Sequence, residues 1–263
     1  MQMRTLVIQS HRSPLPMPWL APCIDSVRVW SDKAGYDYRW LDDDLFARVP
    51  STLRHKTRNH LPMTADLARL QVLQRTLLQG YERAVWIDAD VLIFTPENLT
   101  VTSLDHSFGR EVWIQTDTRG NGTLRSYRKI HNAFMSFTAT SSVLPFYLEC
   151  ADRILHNHQA DTLAPQLIGP KLITALHNLA QFNVQENAAM LPPIVAGEIQ
   201  RYQCDNNIGP ALTLFNRTSA ECPAAVNLCS SLTAELEREG IEVARLIDQL
   251  LSDGMPWPGI SHD

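Results

Sequence analysis

The stretch YERAVWIDADVL, residues 81–92, decides how this chain is read. Its apolar centre, residues 84–87, has the pattern of a short buried strand. The apolar run stops at Asp88, resumes at Val91 and ends near Thr95-Pro96, so two acids interrupt it. In extended backbone, side chains two positions apart point to the same side. Asp88 and Asp90 are therefore expected to face one spot at the carboxyl end of a central strand, where open α/β sheets bind ligands. Burying two unpaired carboxylates costs on the order of several kcal/mol. Something cationic should lie between them. Mg²⁺ or Mn²⁺ suits the position, because such ions take one or two protein carboxylates and complete their shell with phosphate oxygens and water. The same spacing also suits a loop pair that caps a turn or binds an arginine.

Upstream, residues 64–79 read as a helix with Thr64 as its cap, Asp66 in its first turn and Gly80 just past its end. Leu67, Leu70, Leu73, Leu77 and Leu78 carry the helical apolar spacing. Asp66 and Arg69 lie three apart and share a face. They form either an exposed ion pair, worth little, or a ligand-binding pair whose guanidinium donates two parallel hydrogen bonds to phosphate oxygens.

Farther out, residues 5–9, 27–30, 36–40, 111–115 and 133–137 read as strands. Residues 142–156 and 165–179 read as helices, and 231–251 as an amphipathic helical tail broken at Gly240. Residues 13–22 hold four prolines and read as a loop, while Asp42, Asp43 and Asp44 suit the start of a short helix. Strands mixed with helices of moderate length predict an α/β fold.

Composition narrows the function. With 263 residues, 44% hydrophobic and 19% charged, the chain suits one globular domain with a sizeable core. A net charge of −5 argues against a nucleic-acid binder. Five cysteines without a C-x-x-C pair argue against a disulfide framework or zinc ribbon. No apolar run reaches membrane-spanning length and no secretory signal opens the chain, so a cytoplasmic protein, or one peripheral to a membrane, is expected. No G-x-S-x-G, P-loop or G-x-G-x-x-G occurs. Arg54, His55, Lys56 and Arg58 form a basic cluster that faces either a diphosphate or solvent.

At these residues the chain resembles the retaining glycosyltransferases of the GT-A type. Thr64-Ala65-Asp66-Leu67-Ala68-Arg69 is similar to their [ST]-x-D-x-x-R helix signature, and residues 81–92 are similar to the D-x-D strand of glycosyltransferase family 8. Residues 36–43, Asn132-Ala133-Phe134-Met135 and Ile168-Gly169-Pro170 resemble family 32, the capsular and mannosyl type with a D-x-D sugar-binding region. The resemblance spans residues 4–180, and only residues 66–92 are specific. It implies a single GT-A domain over residues 1–263, Rossmann-like, with a mixed sheet flanked by helices and a helical portion near 230–254. It implies a hexosyltransferase that moves a sugar from a nucleotide-diphosphate donor to a glycan, lipid-linked or protein acceptor, with retention and with Mn²⁺ or Mg²⁺.

By that resemblance Asp88 contacts the ribose or sugar and Asp90 ligates the metal. Asp66 and Arg69 hold the donor, Asn132 touches the sugar ring, and Gly169 and Pro170 line the pocket. Asp66 and Asn132 are the expected catalytic residues, and Gln9 and Ser10 lie near the base. His262 faintly suggests a further metal ligand beside Asp88 and Asp90. The chain departs from family 32 in carrying Arg83-Ala84-Val85-Trp86 where Gly-Gly-x-Tyr is usual, and it lacks the late histidine element. Two alternatives are a haloacid-dehalogenase-type phosphatase with Asp88 as nucleophile, and a GT-A-like protein that binds sugar without catalysis.

Overall fold

Alternation along the first and third strands divides the core between two faces of one sheet. In β1 (Thr5–Ser10), Leu6 and Ile8 join one apolar cluster while Val7 joins another. In β3 (Arg83–Ile87), Ala84 and Trp86 face the first cluster, and Val85 and Ile87 the second. Every residue of β3 is buried, the pattern of a strand covered on both faces. The computed structural model describes residues 3–57, 60–117, 122–157, 164, 166–205 and 207–258.

Eight strands form one mixed sheet in the order β2-β1-β3-β6-β5-β7-β8-β4. The remaining strands are β2 (Asp37–Leu41), β4 (Val91–Ile93), β5 (His106–Thr116), β6 (Leu124–Thr138), β7 (Val184–Met190) and β8 (Ala225–Asn227). β1 runs parallel to β2 and β3, and β7 runs parallel to β5 and β8. β6 is antiparallel to β3 and β5, and β4 is antiparallel to β8. The carboxyl ends of β1, β3, β5, β7 and β8 thus open on one side of the molecule.

Helices cover both faces. α3 (Leu61–Leu78) and α4 (Val143–Asn157) pack over the Leu6–Trp86 face. Leu67, Leu70 and Leu73 of α3 are fully buried there, each contributing about 1.5–3 kcal/mol. Gly80, at φ +93, reverses the chain after α3 in a conformation that glycine adopts without strain. α1 (Leu20–Lys33) covers the Val7–Ile87 face. α6 (Pro193–Asp205), α7 (Pro210–Thr218), α8 (Thr233–Arg238) and α9 (Val243–Asp253) build a third cluster around Val226 and Ala189. Among the described residues, no helix is long and apolar enough to cross a membrane.

Three expectations need correction. Residues 27–30 are helical, within α1: Leu20, Cys23, Val27 and Trp30 recur at three- and four-residue steps and all are buried. Thr64 is no cap. α3 starts a turn earlier, after His60, and the Thr64 hydroxyl donates to Thr57 Oγ1 at 2.7 Å inside the core. The helix expected over 165–179 is split: a wide turn, Leu167–Lys171, precedes α5 (Leu172–Ala180) because Gly169 takes non-helical backbone angles just before Pro170. Residue 165 lies outside the described residues.

Candidate active site

Asp88 follows the last residue of β3, and its amide donates to Ala133 O of β6 at 2.8 Å. Its carboxylate faces α3, the side that Trp86 faces two residues earlier. The Trp86 indole Nε1 donates to Asp88 Oδ1 at 2.6 Å, and Arg69 Nη2 lies 3.2 Å from the same oxygen. Arg69 also donates through Nη1 to Asp66 Oδ1 at 3.2 Å, and its guanidinium lies 5.6 Å from the Trp86 ring centre. The Asp66–Arg69 pair is therefore no surface pair. Their side chains are 8% and 17% exposed, and the arginine bridges two carboxylates.

Asn132 on β6 reaches the same cluster, its amide donating to Asp66 Oδ1 at 2.7 Å. Gly169 backs onto Asp66 so closely that a Cβ there would overlap Asp66 Oδ2. Tyr147 of α4 holds this segment by donating to Ile168 O at 2.7 Å. Asp66, Arg69, Asp88, Asn132 and Gly169 thus form one contiguous group, and Pro170 follows it in the wide turn. Gln9 joins from β1, its amide donating to Asp88 O at 3.1 Å while accepting from Tyr38 OH at 3.1 Å. Ser10 turns aside, its hydroxyl 3.4 Å from Asp42 O. Beside it, Arg12, Ser13 and Trp40 line a cavity of about 300 Å³ at the carboxyl ends of β1 and β2.

Asp90 has a different environment. Its Oδ1 accepts from Asn227 Nδ2 at 2.7 Å, and its Oδ2 accepts from the Ser230 amide at 2.8 Å. Its carbonyl accepts from Leu228 N, and Asn227 Oδ1 accepts from Cys229 N at 2.8 Å. Cys229 adopts a left-handed conformation, φ 53, which closes this loop around the carboxylate. The expectation that 88–90 is extended backbone with both side chains on one side is corrected accordingly. β3 ends at Ile87 and the chain turns between Asp88 and Val91, so 88–90 is not extended and each acid has its own partners.

The two carboxylates still act on each other. Burial pushes the Asp88 carboxyl up to about 6, with Asp90 and Asp66 adding to the rise and Arg69 opposing it. Burial likewise raises Asp66 against the pull of Arg69 and Asn132. Burial disfavours the Arg69 cation, but Asp88, Asp66 and Asp90 outweigh it and raise its pKa. Two carboxylates thus contact one guanidinium and Asp90 acts on it from farther away, which leaves an excess of two formal negative charges when all are ionised. Among the described residues no hydrogen bond reaches Asp88 Oδ2. Among the described residues, Arg69 Nε is buried without a partner.

A divalent oxygen-seeking ion fits this donor set: Asp88 keeps one open oxygen, and each Asp90 oxygen holds a single N–H donor with further lone-pair capacity. Among the described residues no group of three histidine, cysteine, aspartate or glutamate side chains is arranged to hold a metal ion. His262, the suggested extra ligand, lies outside the described residues. The basic cluster is partly committed elsewhere, with Lys56 Nζ donating to Leu155 O and His156 O at the end of α4. Arg58 lies outside the described residues. Asn227, Ser230 and the indole N–H of Trp86 are site groups that sequence reading missed. The one available signal was the short apolar stretch Ala224-Ala225-Val226 ending in Asn227.

No protein-family model matches the chain, and no curated protein sequence matches it. Among solved structures the chain is similar to a glycosyltransferase involved in glycosylation of the major capsid of PBCV-1, with 12% identity, 89% of this chain and 98% of that chain covered, and a TM-score of 0.45. It is similar to the galactosyltransferase LgtC in complex with donor and acceptor sugar analogs, with 14% identity, coverage of 91% and 95%, and a TM-score of 0.40. It is also similar to the glycosyltransferase GlyE of Streptococcus pneumoniae, with 8% identity, coverage of 98% and 66%, and a TM-score of 0.39.

Proposed function

We propose that this chain is a metal-dependent glycosyltransferase of the GT-A type that moves a sugar from a nucleotide-diphosphate donor to a hydroxyl acceptor, with retention. The observation that carries the proposal is the charge imbalance of the site. Asp66 and Asp90, both buried, and the half-buried Asp88 outnumber Arg69 at the carboxyl end of the sheet. Mn²⁺ or Mg²⁺ held by Asp88 and Asp90 would offset the excess and supply Lewis-acid stabilisation to a diphosphate leaving group.

The chain's own residues do the rest. Asn132 and Arg69 fix the Asp66 carboxylate, leaving Oδ2 against Gly169, where a sugar hydroxyl would be held. Trp86 and Arg69 fix Asp88 through one oxygen and leave the other free. The cavity beside Ser10, with the Trp40 indole and the Arg12 guanidinium, offers the aromatic face and charge that a nucleotide base and its ribose would meet. Retention is supported by the sequence resemblance alone. The phosphatase alternative is disfavoured, because a nucleophilic carboxylate gains nothing from an indole and a guanidinium bound to one of its oxygens.

A thermal-shift screen of nucleotide sugars with uracil, guanine, adenine or thymine bases, with and without Mn²⁺, tests the proposal. A donor at about 100 times its Kd stabilises the fold by about 2.7 kcal/mol, so a melting rise of several degrees that requires Mn²⁺ is expected. No rise with any donor, or an equal rise without metal, contradicts it.

A further inference from the structure

A second cavity, of about 450 Å³, opens between the outer end of β5, the first turns of α6 and the exposed face of α8. Its volume falls in the range of small-molecule sites, about 300–1,000 Å³. Trp113, Gln115, Gly197, Arg201, Glu235 and Glu239 are among its walls. None of these residues belongs to the cluster around Asp88.

The sheet register ties this cavity to that cluster. Glu111, Met190 and Asn227 are aligned across β5, β7 and β8, and Asn227 holds Asp90. Trp113 is two strands over, about 10 Å, and two residues farther along, about 7 Å, so it lies about 12 Å from Asn227. Glu235 follows Ser230 by five residues through a short 3-10 turn and the start of α8, a path of about 8–10 Å. The cavity is therefore on the side of the sheet where Asp88 and Asp90 open, within a few sugar units of them.

Its chemistry points to a hydroxylated ring. Trp113 is partly buried and supplies a rigid aromatic face. Glu235 on α8 and Glu239 at its C-terminal cap are four apart, a like-charge spacing that works against the helix by itself. Arg201 lies on the opposing wall, and among the described residues no ion pair joins it to either glutamate. A guanidinium and two carboxylates that line one cavity without meeting leave donors and acceptors for a ligand between them. Two acids against one base disfavour an acidic ligand.

We infer that this cavity is the acceptor subsite and takes a neutral glycan unit stacked on Trp113, with its hydroxyls bridging Arg201 and the α8 glutamates. The acceptor role rests on the proposed transferase; the glycan-binding role does not. Saturation-transfer NMR on the full chain tests the inference, with lactose, cellobiose and maltose as probes at about 20 mM, which fills sites with a Kd of about 1 mM. Ring-proton saturation from at least one probe is expected. It should be lost in Trp113→Ala, retained in Trp113→Phe and weakened roughly tenfold in Arg201→Ala. Release of nucleoside diphosphate from a donor without acceptor should be unchanged in all three variants. No saturation from any probe, or a signal that survives both alanine variants, overturns the inference. If the probes bind through Trp113 but no donor is hydrolysed, the transferase reading fails and the glycan site stands.

Discussion

The two acids of the D-x-D motif are three positions inclusive in sequence and belong to different physical regimes. Asp88 is held by charge. It shares Arg69 with Asp66 and is pushed up to about 6 by burial and by its acidic neighbours. Asp90 is held by neutral donors, the Asn227 amide and the Ser230 backbone N–H, in a loop that wraps both of its oxygens. A carboxylate satisfied by neutral dipoles is a fixed anchor, whereas one sharing a single guanidinium with another carboxylate is under strain that a further cation relieves. The site thus has a side fixed by neutral donors at β8 and a charge-frustrated side at α3.

Arg69→Met should produce the largest effect. It leaves Asp66 and Asp88 buried without their cation, and breaking a buried pair costs about 3–5 kcal/mol. Urea unfolding at pH 7.5 should read this loss, and the loss should shrink below pH 6 as Asp88 becomes neutral. An equal loss at both pH values would show that charge does not set the contrast between the two sides.

Asp88→Asn should act in the opposite direction. The folded pKa of Asp88 lies above its ordinary value of 3.8, so the folded chain binds the proton more tightly than the unfolded chain. The stability associated with that proton is fully present below pH 4 and is lost as pH rises through about 6. Without metal, the asparagine variant should therefore be more stable than the parent at pH 7.5, by up to about 3 kcal/mol. The two should converge near pH 4, and urea unfolding across pH 4–8 checks the trend. A variant less stable than the parent at pH 7.5 would place Asp88 among the satisfied carboxylates with Asp90.

Asn227→Ala probes the side at β8 and should have the smallest effect. It removes one donor to Asp90 and the acceptor for Cys229 N, costing about 1–2 kcal/mol. If Asp90 ligates the proposed metal, losing the group that orients it should weaken metal affinity by about 10- to 100-fold. Calorimetric Mn²⁺ titration distinguishes this from an effect confined to stability.

The charged side was legible in the sequence and the neutral side was not. Asp66, Arg69 and Asp88 declare themselves because a leucine-spaced helix and a fully apolar strand frame them, so each charge stands out against its background. β1, β3 and the break at Gly240 were legible for the same reason. β8 has three residues, too few for a periodicity, and Asn227 is an ordinary polar residue until the fold brings it to Asp90. β7 hides because Gln185, Glu186 and Asn187 interrupt it, and the fold supplies their partners: Gln185 donates to Thr100 O and to Asn187 Oδ1, Asn187 donates to Asn98 O, and Glu186 accepts from Arg110. α6 and α7 open on Pro193 and Pro210, which read as loop punctuation although proline is favoured in a first helical turn. The Val-Arg-Val-Trp run within α1 has β-branched residues that favour a strand, and packing of its three- and four-residue apolar steps onto the sheet overrode that preference.

If the proposed function is right, Asp88 and Asp90 hold a divalent cation against the excess negative charge around Arg69. Electron paramagnetic resonance of Mn²⁺ with the full chain and a nucleoside diphosphate at pH 7.5 measures it most directly. One bound Mn²⁺ per chain is expected, lost in both Asp88→Asn and Asp90→Ala while the variants remain folded. Unbound Mn²⁺ with the parent chain, or undiminished binding in either variant, would contradict it.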